Sequence, residues 1–181
     1  MIDELLKKKW IAFFQAVDAD KNGFIEREDY EKITARFAAI RDWKPGSPEY
    51  ENLHNKLIFL WEKYWVCADL NQDNKISLDE FLETCRRQFA VDYASEEAAW
   101  EQSMPALFDV IDIDGDEKID LEEYKQFLTA YGFNVSGYEE IFQRLDANGD
   151  GYISKEEYLQ LIKEYCGVDP EAAGNWFFGY Y

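Results

Sequence analysis

The stretch Leu145–Tyr158, LDANGDGYISKEEY, places oxygen-bearing side chains at Asp146, Asn148, Asp150 and Ser154, a glycine at Gly151, and a closing carboxylate at Glu157. A hard divalent cation takes about six to eight oxygens at short range, and a tight turn supplies them from alternate positions only if its middle residue accepts positive φ. Gly151 meets that need. The carbonyl of Tyr152 serves the seventh position, Ser154 acts through water, and Glu157 reaches back with both carboxylate oxygens. A polar Asp/Asn/Gly turn between two helices is common in itself, but here oxygens and glycine fall at every offset that ion binding requires. The reading is a twelve-residue calcium loop over 146–157.

Three more loops follow the same offsets. The first, Asp18–Asp29, offers Asp18, Asp20, Asn22, the Phe24 carbonyl and Glu26, with Gly23 at position six and Asp29 at position twelve. Aspartate is one methylene shorter than glutamate, so a two-oxygen grip on a large ion is harder and the smaller magnesium competes better. The second, Asp69–Glu80, offers Asp69, Asn71, Asp73, the Lys75 carbonyl, Ser77 and Glu80. Its position six is Asn74, a residue type that tolerates the left-handed conformation. The third, Asp112–Glu123, offers Asp112, Asp114, Asp116, the Lys118 carbonyl, Asp120 and Glu123, the highest carboxylate density of the four. Its position six is Glu117, where left-handed geometry costs on the order of 1 kcal/mol.

Aligning the loops exposes a repeat that does not depend on the ligands. Position eight is isoleucine each time, at Ile25, Ile76, Ile119 and Ile153, and a β-branched residue there suits a short strand pairing two neighbouring loops. An aromatic follows each loop, at Tyr30, Phe81, Tyr124 and Tyr158, and another lies four residues ahead, at Phe14, Trp65, Phe108 and Phe142. These flanks read as core. Apolar spacing predicts helices over Glu4–Val17, Arg27–Ile40, Glu49–Ala68, Leu78–Val91, Glu96–Ile111 and Leu121–Tyr131, with Gly132 as a cap and a further helix starting at Ser136. The prolines and glycine of WKPGSP break the chain after the second helix, and Pro105 kinks the fifth. The fold expected is all-α, with four helix–loop–helix units in two pairs packed into one compact globule and short β-bridges between paired loops. The N-terminal pair is assigned to 1–92 and the C-terminal pair to 93–166, with a hinge at Asp92–Ser95. Residues 167–181 form an aromatic tail packed on the core.

Composition narrows the function. A formal charge of −19 repels nucleic-acid phosphates and anionic membrane, whereas four calcium ions would reduce it to −11 and couple binding to folding. Cys67, Cys85 and Cys166 are odd in number and far apart, which reads as reduced thiols in a cytoplasmic protein. The N-terminus MIDELLKKKW lacks the apolar run of a secretory signal, and no stretch is long and apolar enough for a membrane span. A monomer is the default reading; His54 is the one histidine, and no P-loop or nucleophile elbow is present, so no enzymatic activity is expected. The aromatics of GNWFFGYY at the C-terminus are costly to leave in water and are expected to dock into the interior. A calcium sensor opens a Met-rich groove, but this chain has two methionines, Met1 and Met104, which favours a buffer.

The loops, the long linker between the first two, and the aromatic tail together resemble the EF-hand family, and within it the invertebrate sarcoplasmic calcium-binding proteins and calexcitin. Coelenterazine-binding protein and the photoproteins belong to the same broader group. The resemblance implies two EF-hand pairs around a shared apolar interior and a Ca2+/Mg2+ buffer. It also implies alternatives: a calexcitin-like sensor, or a luciferin carrier whose cavity is lined from the chain's 31 aromatic residues.

Overall fold

Ile25, Ile76, Ile119 and Ile153 sit fully buried at the centres of two small sheets. β1 (Phe24–Ile25) pairs antiparallel with β2 (Ile76–Ser77), placing Ile25 opposite Ile76. β3 (Lys118–Ile119) pairs with β4 (Ile153–Ser154), placing Ile119 opposite Ile153. Each bridge therefore fastens two loops back to back. The computed structural model describes residues 3–90 and 105–180. The predicted hinge at Asp92–Ser95, the helix start at Ser95 and Glu96, the boundary between residues 92 and 93, and Met104 lie outside the described residues.

Helices flank every loop. α1 (Glu4–Val17) begins at Asp3, whose carboxylate accepts the Leu5 N–H at 2.8 Å, and α2 spans Arg27–Arg41. α3 (Pro48–Leu60) has Ser47 as its N-cap and Pro48 in its first turn, so this proline starts a helix as well as ending the preceding linker. α2 itself stops earlier, through Asp42 in the left-handed region at φ 54°. Ile40 lies in that last turn and is 39% exposed. α4 covers Leu78–Ala90, α5 covers 105–111, α6 Leu121–Tyr131, α7 Tyr138–Leu145 and α8 Lys155–Tyr165.

Two local expectations are corrected. The helix predicted over Glu49–Ala68 is α only to Leu60, continues as a π-helix over Trp61–Trp65, and ends in a 3-10 turn over Val66–Ala68. The wide turn sets two indoles on different neighbours. Trp61 lies 5.9 Å from Tyr30, whereas Trp65 stacks 5.9 Å from Phe13 and 5.8 Å from Phe81. The helix predicted to start at Ser136 begins at Tyr138 behind Gly137, at φ 67°. Ser136 donates its N–H to Asn134 Oδ1 at 2.9 Å, which holds it in the turn before the helix.

A single apolar cluster runs from Leu6 of α1 to Phe178 near the C-terminus and includes all four aromatics that follow the loops. The chain after α8 crosses this cluster. A 3-10 turn at Ala173–Trp176 delivers Phe177 and Phe178 into the interior. Phe177 lies 5.4 Å from Tyr158, and Phe178 lies 4.7 Å from Tyr165 and 5.0 Å from Phe13. Lys9 of α1, fully buried, donates from Nζ to the Gly167 carbonyl at 2.9 Å and to Asn175 Oδ1 at 2.8 Å. Burial lowers the pKa of this ammonium, and the two oxygens replace its lost hydration. The N-terminal helix and the C-terminal segment are thus joined by a buried polar contact inside an apolar wall.

Candidate metal centres

In each loop the carboxylate at position one accepts backbone N–H groups from inside the turn. Asp18 takes Asn22 at 3.1 Å and Gly23 at 2.9 Å, and Asp69 takes Asp73 at 3.2 Å and Asn74 at 2.8 Å. Asp112 takes Gly115 at 2.8 Å and Glu117 at 3.1 Å, and Asp146 takes Gly149 and Gly151, both at 2.8 Å. The amide at position six reaches inward only if its own residue turns left-handed. Gly23, Asn74, Glu117 and Gly151 have φ of 90°, 66°, 67° and 89°. Glu117 therefore adopts a conformation that its residue type disfavours, whereas Asn74 is of a type that tolerates it. Replacing Glu117 with glycine is expected to stabilise the protein in chelator by about 1 kcal/mol. The urea midpoint of the chelated variant checks this.

A second left-handed position went unread in the sequence. Position four also has positive φ in every loop, at Lys21 (60°), Gln72 (63°), Gly115 (76°) and Gly149 (74°). The glycines at two of the four positions were the available signal. Sequence reading also missed that positions nine and twelve form the capping box of the helix leaving each loop. Glu157 Oε2 accepts the Ser154 N–H at 3.0 Å while Ser154 Oγ accepts the Glu157 N–H at 3.3 Å. Asp120 and Glu123 make the same exchange at 3.1 and 2.7 Å, and Ser77 and Glu80 at 2.9 and 3.3 Å. In the first loop Asp29 Oδ2 accepts the Glu26 N–H at 2.8 Å. The residue that closes each loop is thus oriented by the helix it starts.

The position-twelve carboxylates also reach across their loops. Asp29 Oδ1 accepts the Ala19 N–H at 3.0 Å, Glu80 Oε1 that of Asn71 at 3.2 Å, Glu123 Oε1 that of Ile113 at 2.9 Å, and Glu157 Oε1 that of Asn148 at 3.4 Å. At position three the pattern is equally regular. Asp20, Asn71, Asp114 and Asn148 each accept the N–H of the residue two further on, namely Asn22, Asp73, Asp116 and Asp150. Position five accepts from position seven: Asn22 from Phe24, Asp73 from Lys75, Asp116 from Lys118 and Asp150 from Tyr152.

The loops differ in depth. Asp18, Asp29, Asp112 and Glu123 are buried, whereas Asp69, Glu80, Asp146 and Glu157 are half-buried. Among the described residues, carboxylates gather in threes with oxygens within 4.8 Å at Asp18, Asp20 and Asp29, and at Asp112, Asp114 and Asp116. Both clusters fall in loops with an aspartate at position three, where the other two loops have Asn71 and Asn148. Burial raises the pKa of the Asp29 and Glu123 carboxyls. A carboxyl raised on folding is a charge the fold disfavours, so above their unfolded pKa both reduce the stability of the metal-free protein. A bound dication reverses that. Glu80 lies lower than usual because the Ser77 N–H bonds it, and Asp20 lies lower because the Lys32 ammonium does.

The donors at these positions are carboxylate, amide, hydroxyl and main-chain oxygens, with neither thiol nor imidazole among them, which fits a hard dication. Paired helix–loop–helix units with oxygen-lined turns define a class of divalent-cation protein. A model of the EF-hand domain pair matches residues 101–163, and a model of the EF hand matches 11–34 and 66–85. Together these take in more than half of the chain, and the chain belongs to the EF-hand family. It is 28% identical over 113 residues to sarcoplasmic calcium-binding proteins I, III and IV of Branchiostoma lanceolatum, a match covering 61% of each chain. The chain thus spans about three fifths of the length of the relatives it matches. Coelenterazine-binding protein from Renilla muelleri, in its calcium-loaded apo form, superposes with a TM-score of 0.82 at 27% identity, covering 99% of this chain and 100% of that one. A sarcoplasmic calcium-binding protein from amphioxus shares the fold, with a TM-score of 0.75 at 21% identity and full coverage of both chains.

Proposed function

We propose that the protein is a cytoplasmic, monomeric calcium buffer that takes up ions at all four loops, with magnesium as competitor, chiefly at the first. The ligands assigned are Asp18, Asp20, Asn22, Phe24 (carbonyl) and Asp29; Asp69, Asn71, Asp73, Lys75 (carbonyl) and Glu80; Asp112, Asp114, Asp116, Lys118 (carbonyl) and Glu123; Asp146, Asn148, Asp150, Tyr152 (carbonyl) and Glu157. Residues 1–92 and 93–166 act as the two pairs. The observation that carries buffering over sensing is the interior position of Phe177 and Phe178. A sensor exposes an apolar groove when loaded, and here the chain's own C-terminal segment occupies the space between the helices.

A calcium titration followed by calorimetry, with and without millimolar magnesium, tests the reading. Four ions per chain, with one class weakened by magnesium, is the expected result. An apolar dye added alongside separates buffer from sensor: unchanged fluorescence on loading supports the buffer, and a large rise supports the sensor. The close match to a coelenterazine-binding protein favours a second reading, a luciferin carrier. A spectral shift on adding coelenterazine to the calcium-free protein would establish it in place of the buffer.

A further inference from the structure

Two lysines hold carboxylates of the first loop. Lys32, on α2, places Nζ on Asp20 Oδ2, the position-three carboxylate. Lys75 belongs to the second loop, yet its Nζ crosses the β1–β2 bridge to Glu26 Oε1 at 2.6 Å, the position-nine carboxylate of the first. The same ammonium lies 5.3 Å from the centre of the Phe24 ring. Of the first loop's five carboxylates, Asp20 and Glu26 are thus already paired with a cation.

Among the described residues, no other loop has this arrangement at the corresponding positions. The residues that align with Lys32 are Glu83, Gln126 and Gln160. Glu83 faces Arg86 and Arg87 on its own helix, and Gln126 faces Glu122 and Arg41. Across the second bridge the residue that corresponds to Lys75 is the uncharged Tyr152; the lysine there is Lys118 of the third loop, whose ammonium lies 4.8 Å from the Tyr152 ring centre and which pairs with the fourth loop. Position nine of that neighbouring loop is Ser154, which has no charge to meet it.

We propose that Lys32 and Lys75 are resident counter-cations that set the affinity of the first loop, making it the last of the four to fill. The inference rests on the ligand assignment made above for that loop. A dication approaching Asp18, Asp20 and Asp29 meets a site whose carboxylates are partly neutralised, and it is repelled by two ammonium groups at its edge. Both ion pairs are partly open to water, with lysine side chains 42% and 46% exposed, so their attraction adds little to the fold. Repulsion of a doubly charged ion at that range is larger. In a water-like dielectric with physiological salt it amounts to about a fivefold change in affinity for each lysine. Lys75 also links two sites, since its carbonyl is assigned to the second loop while its ammonium holds Glu26 of the first.

The amides of Gly23 and Gly151 give separate nuclear magnetic resonance reports on the first and fourth loops, because each donates to its own position-one carboxylate, at 2.9 and 2.8 Å. Calcium titrations of the full chain would compare the native protein with Lys32→Met, Lys75→Met and Lys44→Met. Lys44 pairs with Asp42 outside the loops and controls for overall charge. The expected result is a Gly23 midpoint about fivefold lower in the first two variants, with Gly151 unmoved and Lys44→Met like the native protein. A Gly23 midpoint that shifts no further than in Lys44→Met overturns the inference and leaves the ligand assignment standing. A Gly23 amide indifferent to calcium in every variant overturns the assignment for that loop, and this inference with it.

Discussion

Replacing Gly174 with alanine is expected to destabilise the calcium-loaded protein by about 3 kcal/mol, the upper part of the usual range for forcing atoms into a packed site. A Cβ at this position would lie 2.0 Å from the Leu161 carbonyl oxygen and 2.7 Å from Glu164 Cβ. Neither the helix backbone nor the short turn at Ala173–Trp176 can move without withdrawing its neighbours. Gly174 also donates its N–H to Glu164 Oε2 at 2.9 Å, so displacing it breaks a polar contact as well. Phe177, whose carbonyl accepts the Tyr124 hydroxyl at 2.9 Å, would be drawn out of the core. The thermal midpoint should fall by about 10 °C for a chain of this size. Gly167→Ala is the matching control: its Cβ would meet the Glu164 carbonyl at 3.2 Å, a contact that a small shift relieves. Equal midpoints for the two variants would show that the C-terminal segment does not hold the fold together.

Glu157→Gln should remove one calcium ion per chain from the calorimetric count and leave the helical signal intact. The amide keeps the size of the side chain and one oxygen for the Ser154 N–H, which Glu157 accepts at 3.0 Å, so α8 still starts where it does. It loses the charge and the second carboxylate oxygen that a large cation requires at position twelve. Because β3 and β4 join the third and fourth loops, the third loop's affinity should fall as well, by less than that of the fourth. An unchanged ion count in this variant would show that Glu157 is not a ligand.

The recurrence of acidic turns was legible because its causes are local. Alternate oxygens, a residue at position six able to turn left-handed, and isoleucine at position eight are each visible within a dozen residues. The pairing of Ile25 with Ile76 and Ile119 with Ile153 follows from the same pattern. The helices α1, α2 and α6 lie within a residue of their predicted limits, since apolar period and capping residues mark them. The second half of the Glu49–Ala68 stretch was not legible. Its apolar spacing suits an α-helix throughout, and the wide turn at Trp61–Trp65 depends on where Tyr30, Phe13 and Phe81 stand.

Lys9 makes the same point about charge. In the run Lys7-Lys8-Lys9 nothing separates it from its neighbours, yet Lys9 is fully buried against Gly167 and Asn175, more than 150 residues away. Lys32 and Lys75 likewise read as ordinary solvated lysines until folding sets each beside a carboxylate of the first loop.

Taken alone, the amino-acid order determined the four oxygen-rich turns and their pairing, because each turn closes on itself and carries its geometry in neighbouring residues. Tertiary packing decided the rest: which loops lie deep, which carboxylates already face an ammonium, and which of the C-terminal aromatics go inside, with Phe177 and Phe178 buried and Tyr180 exposed. Those outcomes depend on contacts between segments far apart in the chain, where burial and charge are set by what folds against a residue and not by what sits next to it.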